Sequence, residues 1–284
     1  MRIDAHHHLW PYRAADYPWI SPQMPALRRD FLAADFSTLL AEEQMTGSVV
    51  VQARMDNRET DWLVSQAQEL PGVHGVVGWM DPSRGQGEVE ETLQHWDTQP
   101  RIRGARHLVQ DEASPGEWLE QESLITGMGA LQRRGYVWDL LITHRHLEEG
   151  KRFAARHDQH WIVLDHCAKP WLEKGASEWM RQVAPLAALP HVVCKISGLV
   201  TEAQDGRWSD EQLQPFIDGA LALFGPQRLL FGSDWPVCLL ASSHQRLHQF
   251  YRTALTALSV HEQRAIWGEN AWRIYGLAEC EYGS

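Results

Sequence analysis

Eight short apolar runs, each followed by a stretch of helical periodicity, constrain this chain more than any other feature. The first run starts at Ile3. The others are predicted at 48–52, 73–79, 102–107, 136–141, 161–165, 191–196 and 228–232. They are rich in Val, Ile and Leu at consecutive positions, as parallel strands covered on both faces must be. Helical spacing is read at 35–45, 60–70, 87–95, 124–133, 146–157 and 178–189, and from the capping sequence at Ser209 to Phe224. Two further helices follow the last strand, the second with Ser259 and Glu262 placed to cap it. Eight βα units in 284 residues predict an α/β chain folded as one (β/α)₈ TIM barrel, residues 1–284, rather than an open doubly wound sheet.

A hydrophobic fraction of 44% suffices for the large core that such a barrel needs. The net charge of -11 argues against nucleic acid as a partner, although a locally basic pocket remains compatible with it. Cys167, Cys194, Cys238 and Cys280 form no C-x-x-C pair, so neither a disulfide framework nor a structural zinc site is expected. No basic-then-apolar leader precedes the Ile3 run and no apolar stretch approaches a membrane span, which leads to the expectation of a cytoplasmic protein without a membrane partner.

Barrel chemistry gathers at the C-terminal ends of the strands, so the last polar residues of each run are the candidate site. The first run ends in His6-His7-His8, and residues two apart on a strand share a face, so His6 and His8 project together. Later strand ends offer Gln52 and Arg54, Asp81, Arg106 with His107 on the opposite face, and Asp139. The last three offer Asp165 with His166 and nearby Lys169, Lys195 with Ser197, and Ser233-Asp234-Trp235-Pro236. Asp81-Pro82 also reads as a turn and Asp139 as a helix cap. The long loop 11–29 holds four prolines directly after the histidine pair, a placement that suits a functional loop. No G-x-S-x-G elbow occurs, which leaves a serine acyl-enzyme unsupported, and Cys167 points away from the face that carries His166.

These pieces resemble a known family. Asp4-Ala5-His6-His7-His8-Leu9-Trp10, Gly104-Ala105-Arg106-His107, Leu164-Asp165-His166, Lys195-Ile196-Ser197-Gly198, Phe231-Gly232-Ser233-Asp234-Trp235-Pro236 and the stretch from Asn270 to Leu277 occur in the order of the amidohydrolase superfamily, in its amidohydrolase 2 branch. Arg106 to Glu112 most resembles sugar-acid lactonases of the L-fuconolactonase and L-rhamnonolactonase kind. The resemblance implies a hydrolase in carbohydrate metabolism that opens an aldono-1,5- or 1,4-lactone. Asp234 is then the base that activates water, with His166, His6 and His8 as further catalytic residues. Arg106, His107, Gln52, Arg54, Lys169, Lys195, Trp235 and Trp10 are the expected substrate contacts. A two-metal site is not expected, because no histidine ends the fifth strand and no bridging Lys or Glu ends the fourth. One divalent cation, zinc or manganese, on His6, His8 and Asp234 fits the residue types, with His166 or Asp139 as a fourth ligand. Lactonases that work without metal fit them too, the histidine pair then meeting the substrate directly. Two other readings use the same residues: a metal-dependent decarboxylase, and a barrel that only binds carbohydrate. The loops 11–29, 110–118 and 199–208 are expected to set which sugar is accepted.

Overall fold

A computed structural model describes residues 1–70 and 72–278, so Cys280 lies outside the described residues. Eight parallel strands lie in sequence order in one sheet. They are β1 (Ile3–His7), β2 (Gly47–Val51), β3 (Val73–Trp79), β4 (Ile102–His107), β5 (Val137–Leu140), β6 (Ile162–Leu164), β7 (Val192–Lys195) and β8 (Leu229–Leu230). The ends of the sheet meet: the Ala5 amide donates to the Phe231 carbonyl at 2.9 Å, and the Asp234 amide donates to the His6 carbonyl at 2.8 Å. Eight strands closed by helices on the outside make a (β/α)₈ barrel. The last three strands are shorter than their apolar runs. Beyond Leu230 the chain leaves the ladder, and Asp234 takes a left-handed backbone at φ 56°.

Most helices lie where the periodicity placed them. Asp56 opens Asn57–Glu69 by accepting from the Arg58 amide, which starts that helix three residues early. Ser209 caps the helix Asp210–Phe224, and Ser259 and Glu262 form a reciprocal capping box. A short helix at Pro115–Glu120 was not read from the sequence. No helix among the described residues is long and apolar enough to cross a membrane.

The barrel interior is layered. Val49, Val51, Val77, Val137, Val163, Val193 and Leu230 form an apolar plug, closed below by Ala271, Ile274, Tyr275 and Leu277. Burying each such side chain contributes about 1.5–3 kcal/mol as an upper estimate. Two residues further along β5 and β7, and just past the end of β6, the faces carrying Val137, Val193 and Val163 present Asp139, Lys195 and Asp165. Period-two alternation thus stacks a charged layer directly above an apolar one. All three charged side chains are fully buried.

Candidate active site

Asp234 and three histidines converge at the C-terminal mouth of the barrel. His8 Nε2 lies 3.4 Å from Asp234 Oδ1, His6 Nε2 3.7 Å and His166 Nε2 3.9 Å, while the two imidazoles of the first strand meet at 3.2 Å. Each ring is held from behind. His8 Nδ1 sits 2.8 Å from the Val51 carbonyl, and His166 Nδ1 sits 2.9 Å from Ser197 Oγ. A carbonyl can only accept, so His8 carries its proton on Nδ1 and turns an Nε2 lone pair toward Asp234.

The backbone that aims these groups is strained. His166, Cys167, Ala168 and Lys169 are four consecutive non-glycine residues with φ between 48° and 59°. Left-handed backbone costs such residues about 1–2 kcal/mol each, and strain of this kind collects at functional sites. The turn swings His166 and Lys169 into one cavity. Gly198 lets it close, for a Cβ there would stand 2.6 Å from His166 Nδ1.

The charge pattern follows from burial. Burial drives the His6 pKa well below the ordinary imidazole value, and Lys195 pushes the same way. Burial takes His166 down to about 4. Burial alone pushes Asp234 up, but the nearby His166, His8 and Lys169 together outweigh it and hold that carboxyl below its ordinary value. At neutral pH an anionic Asp234 therefore faces neutral His6 and His166.

Beneath them lies a buried ionic layer. Lys195 Nζ reaches Asp139 at 2.5 Å, Asp165 at 3.1 Å and His6 Nδ1 at 3.1 Å. Arg106 Nη1 binds Asp165 at 3.0 Å, and Tyr275 donates to Asp139 at 2.7 Å. Burial raises Asp139 to about 6, whereas Asp165 is held low despite its own burial, because Lys195, His6 and Arg106 surround it.

A cavity of about 360 Å³ opens above this floor. It brings together His8, Arg106, His166, Lys169 and Asp234 from the expected set. Several others stand elsewhere. Lys195 is below the floor, bound to two carboxylates, rather than in reach of a ligand. Gln52 is fully buried and bonds the Arg106 carbonyl through Nε2. Arg54 points into a separate outer cleft, tied to Asp16 and Asp56. His107 is taken by Glu112 at 2.6 Å and stacks on Trp118. Trp10 and Trp235 are core residues against Phe31, with Trp235 also on Phe36. Asp81 caps its own turn through Ser83, and Asp139 is committed to Lys195 and Tyr275 rather than free to ligate. Cys167 turns its thiol toward Cys194, 3.8 Å away, and the Lys195 carbonyl.

The sequence reading missed Trp19, Met24, Gln110, Thr201 and Glu202, which line the cavity from loops that it flagged only as segments. Loop side chains carry no periodicity that would single them out.

The donor set fits a single cation. Two ligands at about 2.0–2.2 Å from tetrahedral zinc stand about 3.3–3.5 Å apart, close to the separations among His6 Nε2, His8 Nε2 and Asp234 Oδ1. Asp165 Oδ1 is buried 3.1 Å from Lys195 Nζ and 3.4 Å from His6 Nδ1.

A barrel with strand-end histidines and an aspartate converging at its mouth has the architecture of an amidohydrolase, and the amidohydrolase family model matches residues 3–277. The chain belongs to the amidohydrolase family. It is similar to an L-fucono-1,5-lactonase of Burkholderia multivorans, 43% identical over 98% of this chain and 97% of that protein. An L-fucono-1,5-lactonase of Burkholderia ambifaria is 37% identical over 84% of this chain and 82% of its own. A crystal structure of a Burkholderia multivorans amidohydrolase with bound Zn matches with a TM-score of 0.94 at 41% identity, covering 98% of this chain and 100% of that one.

Proposed function

We propose that the protein is a hydrolase that opens a sugar-acid lactone, an aldono-1,5- or 1,4-lactone of the L-fucono, L-rhamnono or L-galactono kind. One observation carries the reading: an anionic Asp234 stands among three imidazoles in a cavity that also presents Arg106 and Lys169. The two lactonase relatives support the substrate class.

Asp234 accepts a proton from water as the water oxygen attacks the lactone carbonyl carbon. The carbonyl electron pair moves onto its oxygen, where Lys169, Arg106 and His166 face the developing charge. Ser197 donating to Nδ1 would leave the His166 proton on Nε2, the nitrogen that faces the cavity. Collapse of the tetrahedral species breaks the ring C–O bond, and Asp234 returns its proton to the departing oxygen. The product is the open hydroxy acid, which ionises at neutral pH. His6, His8 and Asp234 would hold one divalent cation, zinc or manganese, and when bound it supplies Lewis acidity beside the carbonyl. In a metal-free enzyme the same histidines would meet the substrate directly. We place the protein in the cytoplasm, a reading supported by three free, buried cysteines among the described residues.

The test is proton release from a panel of aldonolactones, followed with a pH indicator against the spontaneous background. Release with one sugar configuration supports the reading. Carbon dioxide release from an unsaturated carboxylate, with no lactone opened, would replace it with decarboxylation.

A further inference from the structure

Three charged side chains that line the cavity, Asp111, Lys169 and Glu202, have no hydrogen-bond or ion-pair partner among the described residues, and of these Asp111 is exposed. Glu202 ends the short 3₁₀ turn Leu199–Glu202 after β7, and Lys169 ends the left-handed run after β6. Both line the same cavity as Asp234 and His166. Neither the Glu202 carboxylate nor Lys169 Nζ makes a hydrogen bond or ion pair among the described residues, whereas neighbouring Asp205 pairs with Arg207. Burial raises the Glu202 pKa, opposed by Lys169 and reinforced by Asp234, so the three charges share one electrostatic environment. Glu202 is partly buried at the cavity wall, so a ligand that fills the cavity displaces its water and must supply donors in its place.

We propose that Glu202 is a specificity-determining residue that accepts hydrogen bonds from ring hydroxyls of the substrate, resting on the lactonase reading above. The chemistry favours this assignment. A carboxylate has two oxygens with about four lone-pair sites, so it can accept from two neighbouring hydroxyls together. Hydroxyl configuration then decides whether one or both are satisfied. Proton transfer has its own group: Asp234 already has the imidazoles around it, whereas the charged groups that act on Glu202 are Lys169 and Asp234. Lys169 completes the recognition, since an ammonium can donate to a hydroxyl or the lactone carbonyl. Three carboxylates line the cavity, Asp111, Glu202 and Asp234, and they also select against lactones that carry extra negative charge.

The experiment compares L-fucono-1,5-lactone with δ-valerolactone, the same ring without hydroxyls, in wild type, Glu202→Gln, Glu202→Ala and Glu202→Asp. Loss of one charge-assisted hydrogen bond is expected to lower kcat/KM for the hydroxylated lactone by about 10- to 100-fold in Glu202→Gln. Turnover of δ-valerolactone is expected to change by less than about threefold, because no bond to it is lost. Glu202→Asp should recover part of the preference, and thermal melts should match wild type. Equal losses on both lactones, or an unchanged preference in Glu202→Gln and Glu202→Ala, would overturn the assignment while leaving the lactonase reading intact. A wild-type enzyme that opens neither lactone would instead overturn the reading beneath it.

Discussion

His166 and Asp234 both stand in left-handed backbone, at φ 53° and 56°, and Nε2 of one lies 3.9 Å from Oδ1 of the other. The two arrive on the connections after β6 and β8, so neither strand alone fixes their distance. Both strained turns must hold for the pair to exist. Such positions persist only where their surroundings over-determine them.

Gly198 is part of that support. Gly198→Ala would place a Cβ 2.6 Å from His166 Nδ1 at a glycine with φ 67°. The expected outcome is a loss of kcat/KM of about 100-fold, as a 1 Å displacement of a positioned group can bring. Steady-state kinetics with a thermal melt would check it, and a variant that keeps wild-type kinetics would show that His166 tolerates displacement.

Lys195 tests the buried layer. Lys195→Met leaves Asp139 and Asp165 without their shared cation, and breaking one side of a buried pair costs about 3–5 kcal/mol. Urea unfolding should report that loss. A change under about 1 kcal/mol would mean that Tyr275 and Arg106 suffice to hold the carboxylates.

Lys195 also marks how far the sequence could be read. Alternation shows which face a residue takes, and it correctly stacks Val193 and Lys195, Val137 and Asp139, on inward faces. It says nothing about depth along the barrel axis, so two floor residues passed for pocket residues. The eight strands, their order and the convergence of His6, His8, His166 and Asp234 were legible because backbone period and strand-end position dictate them. Glu202 and Trp19 were not, since loop paths depend on contacts distant in sequence. Trp10 and Trp235 misled for a related reason. An aromatic ring near a strand end packs against Phe31 as readily as against a ligand.

His244 gives a pH signature apart from the active site. Burial lowers its pKa to about 4, so the unfolded chain binds its proton first as the pH falls. Its stabilising contribution is complete above about pH 6.5 and is lost at up to about 1.4 kcal/mol per unit between there and about 4. Asp4, raised to about 6 by burial, works in the opposite sense over part of this range. The comparison is therefore between wild type and His244→Phe. The variant's stability relative to wild type should rise as the pH falls from 6.5 to 4, measured by urea unfolding at each pH. A constant difference would mean that His244 titrates normally.

Cation binding is tested without reference to turnover. Dialysed wild-type protein is expected to retain about one zinc per chain by elemental analysis, and His8→Ala is expected to lose it. Equal metal in both proteins would remove His8 from the ligand set.

The most direct measurement is kcat/KM of Asp234→Asn for L-fucono-1,5-lactone, beside a melt that confirms folding. Removal of a general base is expected to cost about 100- to 10,000-fold. Lactone opening at the wild-type rate in a folded Asp234→Asn protein would contradict a carboxylate that takes the proton from water at this site.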